Sequence, residues 1–211
     1  MHLHSSRKSW EEVKMLRIID VSNWQEGIVD LAHLEKYNAD GVMMKATEGR
    51  TFTDKSLDSF YDRLHGAKDG KPDRNKIYGF YHYARPENNS PEQEAQHFLD
   101  KVGHHAGYAI FALDWEGKAL NYPITWAIRW LDYVYERTGV RPLIYTQGSY
   151  TKYLQKVLNR DYGLWVAHYG VKKPNIGVYP FYAMWQYSSD GIDQNYFNGD
   201  EKTWRKYCEV R

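Results

Sequence analysis

Asp114-Trp115-Glu116 sets two carboxylates one residue apart at the end of an apolar run. Alternate residues on a strand point the same way, so both acids fall on one face, roughly 6.6 Å apart along the backbone at ~3.3 Å per residue. Two carboxyls converging on one cleft do not ionise independently, and one keeps its proton near neutral pH to serve as a general acid. Cleavage of a glycosidic bond needs that division of labour. One acid protonates the leaving oxygen, and a second carboxylate stabilises or attacks the oxocarbenium-like centre. The competing reading of the pair is a solvated loop.

The elements that must position these acids are legible in the hydropathy. Runs at 17–21, 41–45, 77–81, 109–114, 142–145, 164–168 and 181–186 are continuously apolar, which reads as buried strands. Between them, Ser90, Pro91 and Gln93 form an N-cap with a capping box, and Ala95, Phe98, Leu99 and Val102 share one face of a helix over 90–103. Pro123 opens a second helix with Trp126, Ala127, Trp130, Leu131 and Val134 as its stripe, ending before Gly139. Ser149 caps a third, with Tyr150, Tyr153, Leu154, Val157 and Leu158 facing inward. Further helices are expected at 29–38, 56–68 and 200–208.

Strands alternating with helices imply an α/β fold whose parallel sheet is doubly wound or closed into a barrel. The last strands stand too close for full helices between them, so a barrel would be irregular in its final third. In either architecture the reactive groups lie at the carboxyl ends of the strands. There the sequence puts Asp20, Lys45 to Glu48, His82 and Tyr83, Asp114 and Glu116, Tyr145, His168 and Gln186.

The chain has 211 residues, against roughly 100–200 per domain, which predicts one domain over 16–211 preceded by a leader or flexible arm at 1–15. Its formal charge of +1 offers no field for a polyanion, so nucleic acid is not an expected partner. The 8 Trp and 19 Tyr suit ligands of mixed character such as sugars, or an aromatic core. No stretch approaches the ~20 apolar residues of a membrane span, and the start lacks the apolar core of a secretory signal. A chain without membrane insertion is expected, monomeric, and cytoplasmic until released unless it is secreted by another route. Cys208 is the sole cysteine and reads as a buried structural thiol. His82, His97, His104, His105 and His168 lack a ligand spacing, so neither a metal nor a cofactor is expected.

Six landmarks stand in order between about Ile18 and Phe197: Ile19-Asp20-Val21-Ser22 with Trp24-Gln25, Lys45-Ala46-Thr47-Glu48-Gly49, Gly79-Phe80-Tyr81-His82-Tyr83, Asp114-Trp115-Glu116, Trp185-Gln186-Tyr187 and Ile192-Asp193-Gln194-Asn195. On these the chain resembles the family 25 glycoside hydrolases, a muramidase family that includes many bacteriophage endolysins. The loop 188–191 is shorter than the insertion the family often has there. The resemblance implies an irregular TIM-like β/α barrel with about eight strands and fewer than eight helices. It implies hydrolysis of the β-1,4 bond between N-acetylmuramic acid and N-acetylglucosamine in bacterial peptidoglycan. It makes Glu116 the general acid, and Asp114, Asp20 and Asp193 the other acidic residues of the site.

Tyr83, Gln186, Tyr145, Trp185 and Glu48 are the candidate substrate-binding residues, and Trp165 is a further ring that could stack on a sugar. The Asp-x-Glu pair also resembles that of family 18 chitinases, in which the substrate's acetamido oxygen attacks the anomeric carbon. That likeness favours a retaining reaction with Asp114 orienting the acetamide and Glu116 acting as acid and then base. An inactive carbohydrate-binding barrel and a chitinase-like hydrolase are the alternatives. A barrel of this size is expected to take up most of the 211 residues, so either the groove binds the wall without a separate module or the chain is a fragment of something longer.

Overall fold

The apolar runs become strands because each has one side to bury inside a ring and another to bury under helices. A computed structural model describes residues 15–66 and 69–211; the leader expected over 1–15 lies, apart from Met15, outside them. In chain order the strands are β1 (Leu16–Val21), β2 (Gly41–Glu48), the two-residue β3 (Phe52–Thr53), β4 (Tyr78–Tyr83), β5 (Ile110–Asp114), β6 (Leu143–Gln147), β7 (Gly163–Ala167), β8 (Met184–Ser188) and β9 (Asp193–Phe197). The sheet runs β1-β9-β8-β7-β6-β5-β4-β2, and β1 pairs with β2 to close it into an eight-stranded barrel. Short β3 hangs on the end of β2.

Six of the neighbouring pairs are parallel, as strand–helix alternation predicts. The exception corrects the all-parallel expectation: β9 runs antiparallel to both β1 and β8. The four residues between β8 and β9 leave space for a turn but not for a crossover helix, so the chain reverses and fills the last gap in the ring.

Alternation then sorts side chains into two cores. Ile18, Met43, Ile110, Ala112, Leu143, Trp165, Met184 and Phe197 fill the barrel interior. Their sequence neighbours, such as Ile19, Met44, Phe111, Ile144 and Val166, pack outward under the helices. Gly79 belongs to the inner set, and a Cβ there would stand 2.6 Å from the carbonyl oxygen of Ile110.

Five α-helices are present among the described residues: α1 (Leu57–His65), α2 (Pro91–Val102), α3 (Ile124–Thr138), α4 (Gln155–Leu158) and α5 (Glu201–Cys208). In α2 the Ser90 hydroxyl accepts from Gln93 N while the Gln93 side chain accepts from Ser90 N, the reciprocal cap that the sequence announces. α3 stops where Gly139 takes the left-handed conformation at φ 70°. The helix expected from Ser149 is instead a 3-10 turn at Thr151–Tyr153 followed by the single turn of α4. Thr151 is tied to the Gly148 carbonyl, the 175–177 loop presses against it, and Tyr153 points to solvent rather than inward. The segment 29–38 is likewise a 3-10 helix, Leu31–Tyr37, kinked at His33.

α5 closes the amino end of the barrel. Trp204 and Cys208 are buried with the interior set, the Trp204 ring meeting Phe197 at 4.9 Å between centroids. Burial pushes the Cys208 thiol up to about 12, so it is an inert packing group. Among the described residues no helix is long and apolar enough to cross a membrane.

Candidate active site

With the amino end plugged, the open end of the barrel is where the strands terminate at their carboxyl ends. A cavity of about 220 Å³ opens there, and its walls include Asp20, Asp114, Glu116 and Asp193. Four acids from distant stretches of sequence thus meet in one hollow. Asp20 arrives near the end of β1 and Asp114 ends β5. Glu116 lies beyond the strand, but its backbone stays extended at φ −144°, ψ −175°, so the two-residue alternation persists and both acids reach the cavity. Between them Trp115 turns away, fully buried, and stacks on Trp126 at 5.6 Å. Asp193 reaches the same rim because β9 is reversed: the first residue of an antiparallel strand lies beside the carboxyl end of β1, paired with Asp20.

A larger cleft of about 350 Å³ lies at the opposite end of the barrel, around Tyr162, Phe181 and Tyr207. It is mostly apolar and Asp161 is the one acid on its wall, so the smaller, carboxylate-lined cavity is where acid–base chemistry is possible.

All four carboxyls there are held above their ordinary values. Burial is the main cause in each case. Asp20 is pushed up to about 7, with the nearby Asp193 adding to burial and hydrogen bonds from Asn195 and Gln186 opposing it. Burial and then Glu116 lift Asp114, and burial and then Asp193 lift Glu116, while the Lys45 ammonium pulls both back. The cluster therefore holds its protons more tightly than free carboxyls do, an arrangement suited to pairing an acid with a carboxylate. Asp114 has a further peculiarity: its buried Oδ1 has no hydrogen-bond partner.

Uncharged groups complete the hollow. The Asp20 Oδ2 accepts from Gln186 Nε2 at 2.9 Å and from Asn195 Nδ2 at 2.7 Å. Gln186 Oε1 in turn accepts the hydroxyls of Tyr145, at 2.8 Å, and of Tyr169. Trp165 lines the cavity with its indole nitrogen bonded to Asn195 Oδ1 at 2.7 Å, and at 2 % exposure it offers little ring face for stacking.

Of the candidate binding residues, Tyr145 and Gln186 line the cavity, whereas Tyr83, Trp185 and Glu48 do not. Trp185 alternates with Gln186, so it faces outward, donating to the His168 carbonyl at 2.9 Å. Glu48 is held by Lys45 and Arg85, each at 2.6 Å; burial raises its carboxyl, and these two bonds outweigh that and keep it below the usual range. Tyr83 stands beside the cavity, its ring flanked by Lys45 at 5.1 Å and Arg85 at 4.9 Å. Its hydroxyl lies 3.0 Å from where Gly117, at φ +55°, would carry a Cβ, so a side chain next to Glu116 would crowd it.

Three lining or bracing residues were not anticipated: Tyr81, Tyr169 and Asn195. Tyr81 and Asn195 share the faces of Tyr83 and Asp193 by alternation, a signal present in the sequence. Tyr169 sits on the loop after β7, where no period applies. Among the described residues no group of three or more His, Cys, Asp or Glu side chains is arranged to hold a metal ion.

Known proteins resemble this chain in sequence and in fold. The profile of "Glycosyl hydrolases family 25" matches residues 19–196. The autolytic lysozyme of Clostridium acetobutylicum is 36 % identical over 179 residues, covering 82 % of this chain and 50 % of that protein, so the chain spans about half that relative's length. Among solved structures, the bacterial lysozyme of Streptomyces coelicolor superposes with a TM-score of 0.78 at 25 % identity, over 92 % of this chain and 97 % of the other. A family 25 lysozyme of Aspergillus fumigatus gives 0.76 at 25 % identity, over 93 % and 100 %.

Proposed function

The chain belongs to glycosyl hydrolases family 25, and from that membership we propose that it cleaves the β-1,4 bond between N-acetylmuramic acid and N-acetylglucosamine in bacterial peptidoglycan, with retention and with the substrate's acetamido group as nucleophile. The lysozyme names of its relatives support the substrate, and the intact cluster of four acids speaks against a barrel that only binds.

The observation that carries the mechanism is the unpartnered, buried Asp114 oxygen two residues from Glu116 in the chain. A buried acceptor without a donor is costly unless a ligand supplies one. An acetamido N–H does so, and in accepting it Asp114 turns the acetamide carbonyl oxygen toward the anomeric carbon. Glu116, whose proton burial and Asp193 hold more tightly than usual, gives it to the glycosidic oxygen as that bond breaks. The acetamido oxygen forms the new bond to the anomeric carbon. Glu116, now a carboxylate, takes a proton from water, whose oxygen opens the cyclic intermediate from the original face. Asp20 supplies negative charge near the developing oxocarbenium centre.

The anomer released first distinguishes this route from single displacement. Nuclear magnetic resonance of a soluble glycan digest should show the β-anomer appearing before mutarotation; initial appearance of the α-anomer would contradict retention.

A further inference from the structure

Behind the acids lies a set of neutral side chains to which the reaction above gives no part. Asn195 is buried, two residues along β9 from Asp193 and on the same face. Its Oδ1 accepts from Trp165 Nε1 at 2.7 Å, and its Nδ2 donates to Asp20 Oδ2 at 2.7 Å and to the Ile18 carbonyl at 3.2 Å. An indole N–H only donates, so the amide has a single orientation, with oxygen toward Trp165 and nitrogen toward Asp20. Gln186 reaches the same carboxylate from the other side. Its Oε1 takes the hydroxyls of Tyr145 and Tyr169, which turns Nε2 to Asp20 Oδ2 at 2.9 Å. Both donors converge on one oxygen of Asp20.

Every charged group facing that oxygen from the acidic side works against an anion. Asp193 stands opposite on β9, and Glu116 and Asp114 face it from the end of β5. The other titratable neighbours are the phenols Tyr81 on β4, Tyr145 on β6 and Tyr169 after β7. Lys45 on β2 acts on Asp114 and Glu116. The two amide N–H groups are what favours the charged form of Asp20.

We propose that Asn195 and Gln186 are positioning residues that hold Asp20 as an oriented anion, with Trp165 locking the Asn195 amide so that it cannot turn its oxygen to the carboxylate, and Tyr145 and Tyr169 engaging the Gln186 oxygen. The arrangement is a clamp on a single oxygen, Oδ2, and leaves Oδ1 to the cavity. Its role in turnover rests on the hydrolase reading; the clamp itself does not.

The test is a carbon-13 titration of the Asp20 carboxyl in protein labelled at aspartate, beside the rate–pH profile on purified cell walls. Asn195→Ala removes one charge-assisted donor and should raise the Asp20 midpoint by about 1 pH unit, with the acid limb of the rate moving up equally. Trp165→Phe frees the Asn195 amide to turn and should shift both in the same direction by less. This second variant keeps the ring, and it decides the matter if Asn195→Ala does not fold. In an Asp20→Asn background, Asn195→Ala should move the acid limb no further. An unchanged Asp20 midpoint in a folded variant, or a rate that falls equally at every pH, would overturn the clamp. A midpoint that shifts in a protein that clears no cell wall would leave the clamp standing and remove the hydrolase reading instead.

Discussion

Asp20 and Asp193 are a directly facing cross-strand pair, set opposite each other by the antiparallel register of β1 and β9. Like charges in such a position oppose pairing. The fold tolerates them because both carboxyls are raised, burial being the main cause, and Asp193 adds to the rise at Asp20.

Burial of Asp20, with Asp193 adding to it, sets a pH dependence of stability. Asp20 stands at about 7 in the fold against an ordinary 3.8, so the folded state binds its proton more tightly than the unfolded chain does. Stability should therefore be fully present below about pH 4 as far as this group is concerned, and decline as the pH rises toward and through 7. Asp193→Asn removes the facing charge, lowers the Asp20 midpoint and should raise the melting temperature at pH 7.5 by about 2–4 °C, with a smaller effect at pH 4. Calorimetry across that range checks it; an equal change at both ends would mean that the pair is not coupled.

Lys45 is the cation that pulls Glu116 and Asp114 down. Lys45→Met should leave both acids protonated to higher pH and so move the alkaline limb of the rate–pH profile upward. Glu48 retains Arg85 as a partner in that variant, which limits collateral damage. A downward shift of the limb would contradict the assignment of Glu116 as the proton donor.

Inside the barrel, Gly79→Ala forces a methyl to 2.6 Å from the Ile110 carbonyl oxygen. Overpacking of this kind costs about 1–3 kcal/mol, and denaturant unfolding should show that loss. Wild-type stability in the variant would mean that β4 and β5 can move apart at no cost.

How much of this was legible in the chain depends on whether a residue obeyed a local period. Asp114 and Glu116 did: the strand alternation carries on through Trp115, and the expected shared face follows. The capped helices α2 and α3 likewise wear their signals locally. β9 did not read as a strand, since Asp193-Gln194-Asn195 is polar, its inner face being part of the site rather than of the core. Only ring closure makes it a strand. Glu48 lies off the cavity because Lys45 and Arg85 hold it; past the register shift between Lys45 and Thr47 it pairs with Tyr83, which stands beside the cavity rather than lining it. Trp185 and Gln186 both stand on β8, but consecutive strand residues face opposite ways, so only Gln186 reaches the cavity.

The most direct test of the central claim is the chemistry of the ends that the protein makes. Purified peptidoglycan is digested with wild type and with Glu116→Gln, and the fragments are reduced and identified by mass spectrometry. Wild type should create new N-acetylmuramic acid reducing ends, and Glu116→Gln, folded as judged by circular dichroism, should create them at least about 100-fold more slowly. New ends on N-acetylglucosamine, or equal release by the two proteins, would contradict the account.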